Sequence, residues 1–230
     1  MPNDISLLSL PGLHGWFVLI GTAAAIGMFM FEARRRRMLG DRLVAVMLGA
    51  LIFGAATARL STLWRYALEH NDPTLWGALL RGGQSVLGGL AGAYFGAVFT
   101  KWLIGYRAPT GDVFAPAVAL GLGVGRFGCL LEELPGLPTS LAWGISLTAE
   151  QAARFGLTIE QTRIKYHPSF IYEIIFHFFS FVALRQLRDQ PELRTYLLKL
   201  YLFAYAIFRF NVEFVRGNDI IWRGLTWPRV

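Results

Sequence analysis

Apolar residues run along this chain in six long blocks separated by short charged stretches. The blocks span about Gly15 to Phe31, Leu43 to Leu63, Val86 to Ile104, Val113 to Leu131, Pro168 to Leu184 and Tyr196 to Val215. A helix needs about 20 mostly apolar residues to cross a bilayer, and each block is near that length. The pattern predicts an all-α, polytopic membrane helix bundle of about six helices, in one transmembrane domain over residues 1–230. A polar stretch, residues 132–167, interrupts the blocks and is expected to form a long loop.

Charges between the blocks predict orientation. The first block ends on Arg34-Arg35-Arg36-Arg37, with Arg42 just beyond, and the third closes with Lys101 near its end and Arg107 just beyond. After the fifth come Arg185, Arg188, Arg194 and Lys199, against Asp41, Asp112, Asp189 and Glu192 on the same side. Dense Lys and Arg in short loops mark the cytoplasmic face. The amino terminus, the 62–82 loop and the 132–167 loop are then expected to face outward.

Composition agrees with this class. Of the 230 residues, 54% are hydrophobic and only 16% charged, where a soluble domain carries roughly a quarter charged residues. The formal charge of +7 fits cytoplasmic loops touching anionic lipid head groups. With no basic helix outside the apolar blocks, nucleic acid is not an expected partner. The lone cysteine, Cys129, excludes an intramolecular disulfide and a multi-cysteine metal site. Basic residues follow the first apolar block rather than precede it, so that block reads as a retained helix, not a cleaved signal.

Ionisable residues within apolar segments are costly, which makes each a functional candidate. On the sixth block, Tyr205, Arg209, Glu213 and Arg216 are spaced four, four and three apart and share one helix face. Arg209 lies roughly 10 Å from Arg216 along the axis, too deep to be a helix-end residue. The three charges form either an ion-pair ladder that holds helices together or an anion pocket, and their positive excess favours the pocket. Arg126, in Gly125-Arg126-Phe127-Gly128-Cys129, is either an arginine reaching to the interface or a second anion ligand with glycines beside it. Arg59 reads equally well as a helix-end arginine.

His167-Pro168-Ser169 opens the fifth block, with Tyr172 and Glu173 following. Histidine is the side chain most easily poised for proton transfer near neutral pH, though a helix cap with an interfacial tyrosine is the competing reading. His177, four residues after Glu173, is expected to pair with it. His14 stands at the start of the first block, as a ligand or as an anchor. Cys129 reads better as an apolar filler than as a nucleophile. Gly88, Gly92 and Gly96 form a small-residue stripe suited to close helix packing. Gly123 to Gly128 matches the dinucleotide pattern G-x-G-x-x-G, but it lies on an apolar helix without the strand that the motif requires.

Taken in order, these motifs resemble the prolipoprotein diacylglyceryl transferase family. The matching residues are Gly82-Gly83 with Ser85 and Gly88-Gly89, Asp112 to Pro116 leading into Gly125 to Cys129, His167-Pro168-Ser169 with Tyr172-Glu173, and Arg209 through Glu213-Phe214 to Arg216. They cover about residues 13 to 226. The resemblance implies a seven-helix enzyme of the bacterial inner (plasma) membrane, and with no clustered Cys/His ligand set in the sequence no metal or organic cofactor is expected. Its partners would be phosphatidylglycerol, the signal peptide of a preprolipoprotein and membrane lipid. The diacylglyceryl group would pass to the lipobox cysteine thiol, with release of glycerol phosphate.

Carried over, Arg209 and Glu213 would be catalytic, Arg209 stabilising the departing phosphate; His167 and His14 are the histidines expected to take the thiol proton. Arg126, Arg216, Tyr205, Tyr172, Gly88, Gly89 and Cys129 would bind substrate. The sequence departs from the family at Leu87, where members commonly carry a histidine, and at His14, where they carry a tyrosine. Cys129 is followed by Glu132-Glu133-Leu134-Pro135, where the family pattern slips, and Val230 stands where a seventh helix is expected to begin. Leu87 leaves room for a rival expectation, a non-catalytic phospholipid-binding protein. A paralogous transferase with another acceptor is a further alternative. A transporter would need an inverted repeat or paired broken helices, and neither is visible.

Overall fold

A computed structural model describes residues 13–63, 85–132, 135–154, 156–216, 220–222 and 225–226, without the side chains of residues 13–14, 130–132, 154 and those beyond 216. Gly82-Gly83, most of the 62–82 loop and the side chain of His14 therefore lie outside the described residues. All six apolar blocks are helices: α1 (Leu13–Arg35), α2 (Asp41–Leu60), α3 (Val86–Leu103), α4 (Gly111–Glu132), α6 (Ser169–Leu187) and α7 (Leu197–Glu213). Five of them are long and apolar enough to cross a membrane. The exception is α7, with 17 residues, or about 26 Å, against a hydrocarbon layer of about 30 Å. Its carboxyl-terminal end carries Arg209 and Glu213, which do not belong in lipid.

The 132–167 loop is more ordered than its polarity predicts. It contains strand β1 (Ile145–Ser146), a short helix α5 (Ala149–Arg154), a 3-10 turn at Ile159–Arg163 and strand β2 (Lys165–Tyr166). β1 pairs antiparallel with β2, Ile145 opposite Tyr166. A second pair, β3 (Ile220–Trp222) with β4 (Leu225–Thr226), follows α7.

The described residues group into two compact units. In one, α4, α6 and α7 pack around Ala115, Ala119, Leu184, Leu197 and Tyr201. Alanines on α4 let the neighbouring helices approach. α1 joins this unit through glycine: a Cβ at Gly21 would stand 2.6 Å from Gly121 O and 2.9 Å from Gly125 N. On another face of α4, Gly123 faces His177 Cβ and the Phe178 ring. Gly123 of the rejected dinucleotide pattern thus serves helix packing. Asp112 at the start of α4 accepts from Thr195 N (2.7 Å) and Leu197 N (3.2 Å), fastening the start of α7.

The second unit contains α2 and α3. Gly88, Gly92 and Gly96 make the close helix contact that their spacing predicts, and the partner is α2: a Cβ at Gly96 would meet Gly49 O at 2.5 Å and Phe53 Cβ at 2.6 Å. Thr57 Oγ1 donates to Gly88 O at 2.8 Å, across the interface, and Ser85 caps α3 by accepting from Gly88 N. Large apolar side chains are often outside and small or polar ones inside. Ile52, Trp102, Phe179 and Phe203 are all more than 60% exposed, while Glu32, Glu173 and His177 are buried. That inversion of the soluble rule suits a lipid surround.

Candidate active site

Three helix ends meet at one end of the first unit: the carboxyl-terminal ends of α4 and α7 and the amino-terminal end of α6. Each contributes charge. Arg126 Nη2 of α4 lies 2.6 Å from Glu173 Oε2 of α6. Arg216 Nη1, just past α7, reaches Glu173 Oε1 at 3.2 Å, and Arg209 Nη1 lies 3.5 Å from the same oxygen. Arg209 Nη2 pairs with Glu213 Oε2 at 3.1 Å, four residues along α7. The Glu173 side chain is 1% exposed, and those of Arg126, Arg209 and Arg216 are 8%, 12% and 8% exposed.

This constellation goes beyond the face read from α7 alone. The sequence places Arg209, Glu213 and Arg216 on one side of a helix, but the hub is Glu173, on a different helix. Glu173 holds all three guanidiniums. A signal for it existed: three arginines inside apolar segments require carboxylates nearby, and Glu173 sits in one of those segments. The cluster keeps a formal excess of one positive charge, three guanidiniums against two carboxylates. Arg209 Nη1 is buried and, among the described residues, has no hydrogen-bond partner, its contact with Glu173 being a long ion pair.

One turn deeper lies an aromatic layer. His177 does not pair with Glu173, contrary to its i+4 spacing; its Nδ1 hydrogen-bonds the Tyr201 hydroxyl at 2.9 Å. The α7 helix supplies a neutral partner at that level, which is a cheaper neighbour for a buried imidazole than a charge already shared by three arginines. Tyr205 packs its ring 4.9 Å from the His177 ring, so it extends the α7 face below Arg209. Cys129 is buried and its Sγ accepts from Arg126 Nη1 at 3.4 Å.

His167 and Tyr172 come together beside β2. Tyr172 Oη lies 3.1 Å from His167 Nδ1 and accepts from Trp143 Nε1 at 2.9 Å. Trp143 lies in the 132–167 loop, and no spacing rule pointed to it. Gly88 and Gly89 belong to the second unit, where Gly88 faces Ser61 and Thr57, and Gly89 faces Ala58. A Cβ at Gly125, by contrast, would meet nothing within 4 Å, so there is open space beside Arg126.

A model of the prolipoprotein diacylglyceryl transferase family matches residues 8–230. The chain belongs to that family. Relatives bearing the name phosphatidylglycerol–prolipoprotein diacylglyceryl transferase match over most of it. One from Chromohalobacter salexigens is 33% identical over 218 residues, 89% of this chain and 75% of the relative. One from Nitratidesulfovibrio vulgaris is 31% identical over 217 residues, 90% and 74% of the two chains. One from Staphylococcus haemolyticus is 29% identical over 216 residues, 90% and 74%. Together with the apolar helices, membership in the diacylglyceryl transferase family makes this a multi-pass membrane protein.

Proposed function

We propose that the chain transfers the diacylglyceryl group of phosphatidylglycerol to the lipobox cysteine thiol of a prolipoprotein signal peptide, at the bacterial inner (plasma) membrane. Beside family membership, the supporting observation is the buried cluster in which Arg126, Arg209 and Arg216 converge on Glu173. The reaction forms a bond from sulfur to the glyceryl methylene and breaks that carbon's bond to the phosphate oxygen. The leaving glycerol phosphate gains a negative charge as the bond breaks. Guanidiniums fixed in a water-poor site stabilise that charge in the transition state more than in the ground state.

Within the cluster, Arg209 is the ligand for the departing phosphate, because its buried Nη1 has a hydrogen to give. Arg126 binds the phospholipid phosphate beside the open space at Gly125. Glu173 and Glu213 hold the guanidiniums in place. His167 is the preferred base for the thiol, and His14 is the other histidine candidate.

The test is to incubate purified protein with labelled phosphatidylglycerol and a lipobox peptide, then look for thioether product. Arg126→Gln and Arg209→Gln should each lower turnover by roughly 100-fold or more while the protein stays folded in membranes. Normal turnover in both variants would overturn the phosphate site. Leu87, in place of the family's histidine, favours the second reading of a phospholipid binder without transfer. That reading predicts lipid binding with no thioether product.

A further inference from the structure

We infer that Trp143, Tyr172 and His167 form a relay that takes the proton from the acceptor thiol: Tyr172 contacts the sulfur, His167 receives the proton, and Trp143 positions the phenol. The inference rests on the transferase reading above.

Hydrogen-bond chemistry sets the direction of the relay. An indole N–H only donates, so at 2.9 Å Trp143 Nε1 gives its hydrogen to Tyr172 Oη. Its other close partner is His167 Nδ1, at 3.1 Å, and in the relay the single phenolic proton of Tyr172 is given to that nitrogen. The relay uses the tautomer in which Nδ1 carries the lone pair and Nε2 the ring proton. A phenolic oxygen has two lone pairs. One is taken by Trp143, and among the described residues no further donor takes the second. Tyr172 is thus arranged to accept a proton from an S–H group while handing its own to the imidazole.

The backbone holds this relay beside the arginine cluster. His167 N donates to Leu137 O (2.9 Å), and His167 O accepts from Gly136 N (2.7 Å). Leu137 N in turn donates to Val215 O at 2.8 Å, one residue before Arg216. The 136–137 segment so bridges His167 to the end of α7. It must be glycine at 136, because a Cβ there would run into Val215 O. On α6, Tyr172 immediately precedes Glu173, so phenol and carboxylate leave the helix about 100° apart. Trp143 is 61% exposed, which places the relay where a peptide thiol arriving from outside the helices can reach it.

The step balances without an external reactant. The thiol proton passes to Tyr172 Oη as the tyrosine's proton passes to His167 Nδ1. The sulfur pair forms the C–S bond, and the C–O pair departs on glycerol phosphate. The imidazolium then sheds one proton to water, which resets the relay.

The experiment uses the full chain in phosphatidylglycerol-containing bilayers with a lipobox peptide, reading kcat, peptide KM and the rate in mixtures of light and heavy water. A relay moves two protons together, so the wild-type rate should curve with deuterium fraction. Tyr172→Phe should lower kcat by about 100-fold or more, with peptide KM and melting temperature unchanged. Trp143→Phe, at an exposed position, should lower kcat about tenfold, again without change in KM. His167→Gln should lose rate, and what remains should depend linearly on deuterium. Wild-type kcat in both the Tyr172→Phe and Trp143→Phe proteins would overturn the relay and leave the transferase reading standing. A loss confined to KM would overturn it equally, assigning these residues to peptide binding alone. If the wild type makes no thioether product, the transferase reading itself fails and the relay with it.

Discussion

Glu173→Gln removes one negative charge from the arginine cluster and nearly preserves the side chain's shape. In the wild type Glu173 faces three guanidiniums, at 2.6 Å to Arg126, 3.2 Å to Arg216 and 3.5 Å to Arg209. The substitution raises the cluster's formal excess from one positive charge to two, and the site is almost fully buried. Removing one partner of a buried ion pair costs about 3–5 kcal/mol. The amide oxygen of glutamine still accepts a hydrogen bond, so the lower end, about 3 kcal/mol, applies. For a chain of this length each kcal/mol moves the midpoint by about 2–4 °C, which gives a fall of about 6–12 °C. Thermal unfolding in neutral detergent would measure it. Adding phosphatidylglycerol should then recover more of the midpoint in Glu173→Gln than in wild type, because the phosphate replaces the lost charge, while phosphatidylcholine should recover less. An unchanged midpoint would refute the hub. Equal recovery with both lipids would refute its coupling to phosphate binding.

Three further outcomes follow from particular contacts. Gly96→Ala places a methyl group 2.5 Å from Gly49 O and should destabilise the α2–α3 pair by about 1–3 kcal/mol, read as a lower midpoint of thermal unfolding. Asp112→Ala leaves the Thr195 and Leu197 amides without their carboxylate acceptor and should cost about 1–3 kcal/mol, with faster hydrogen exchange at the start of α7. For orientation, a membrane-impermeant thiol reagent on intact cells should modify Glu150→Cys and spare Arg36→Cys; Cys129 is buried and gives little background. Labelling of Arg36→Cys would reverse the assigned topology.

The hydropathy pattern by itself determined the number and positions of the long helices, because a bilayer demands about 20 apolar residues whatever they pack against. It likewise determined that Arg209, Glu213 and Arg216 share a face, since that follows from helical spacing along one segment. The glycine stripe on α3 announced a close helix contact, but α2 as its partner is a tertiary fact. The same holds at the candidate site. Glu173 stands 36 residues before Arg209, and no periodicity links two helices across a loop. His177 has helical spacing to Glu173, yet its hydrogen bond goes to Tyr201 on α7, since side chains on facing helices compete with those one turn away. Trp143 reaches Tyr172 from an irregular loop, where no repeat fixes direction. Sequence set which segments enter the membrane and which charges enter with them. Packing alone decided which of those charges meet, because ion pairs and hydrogen bonds depend on distance in space and only within a single helix does sequence separation measure it.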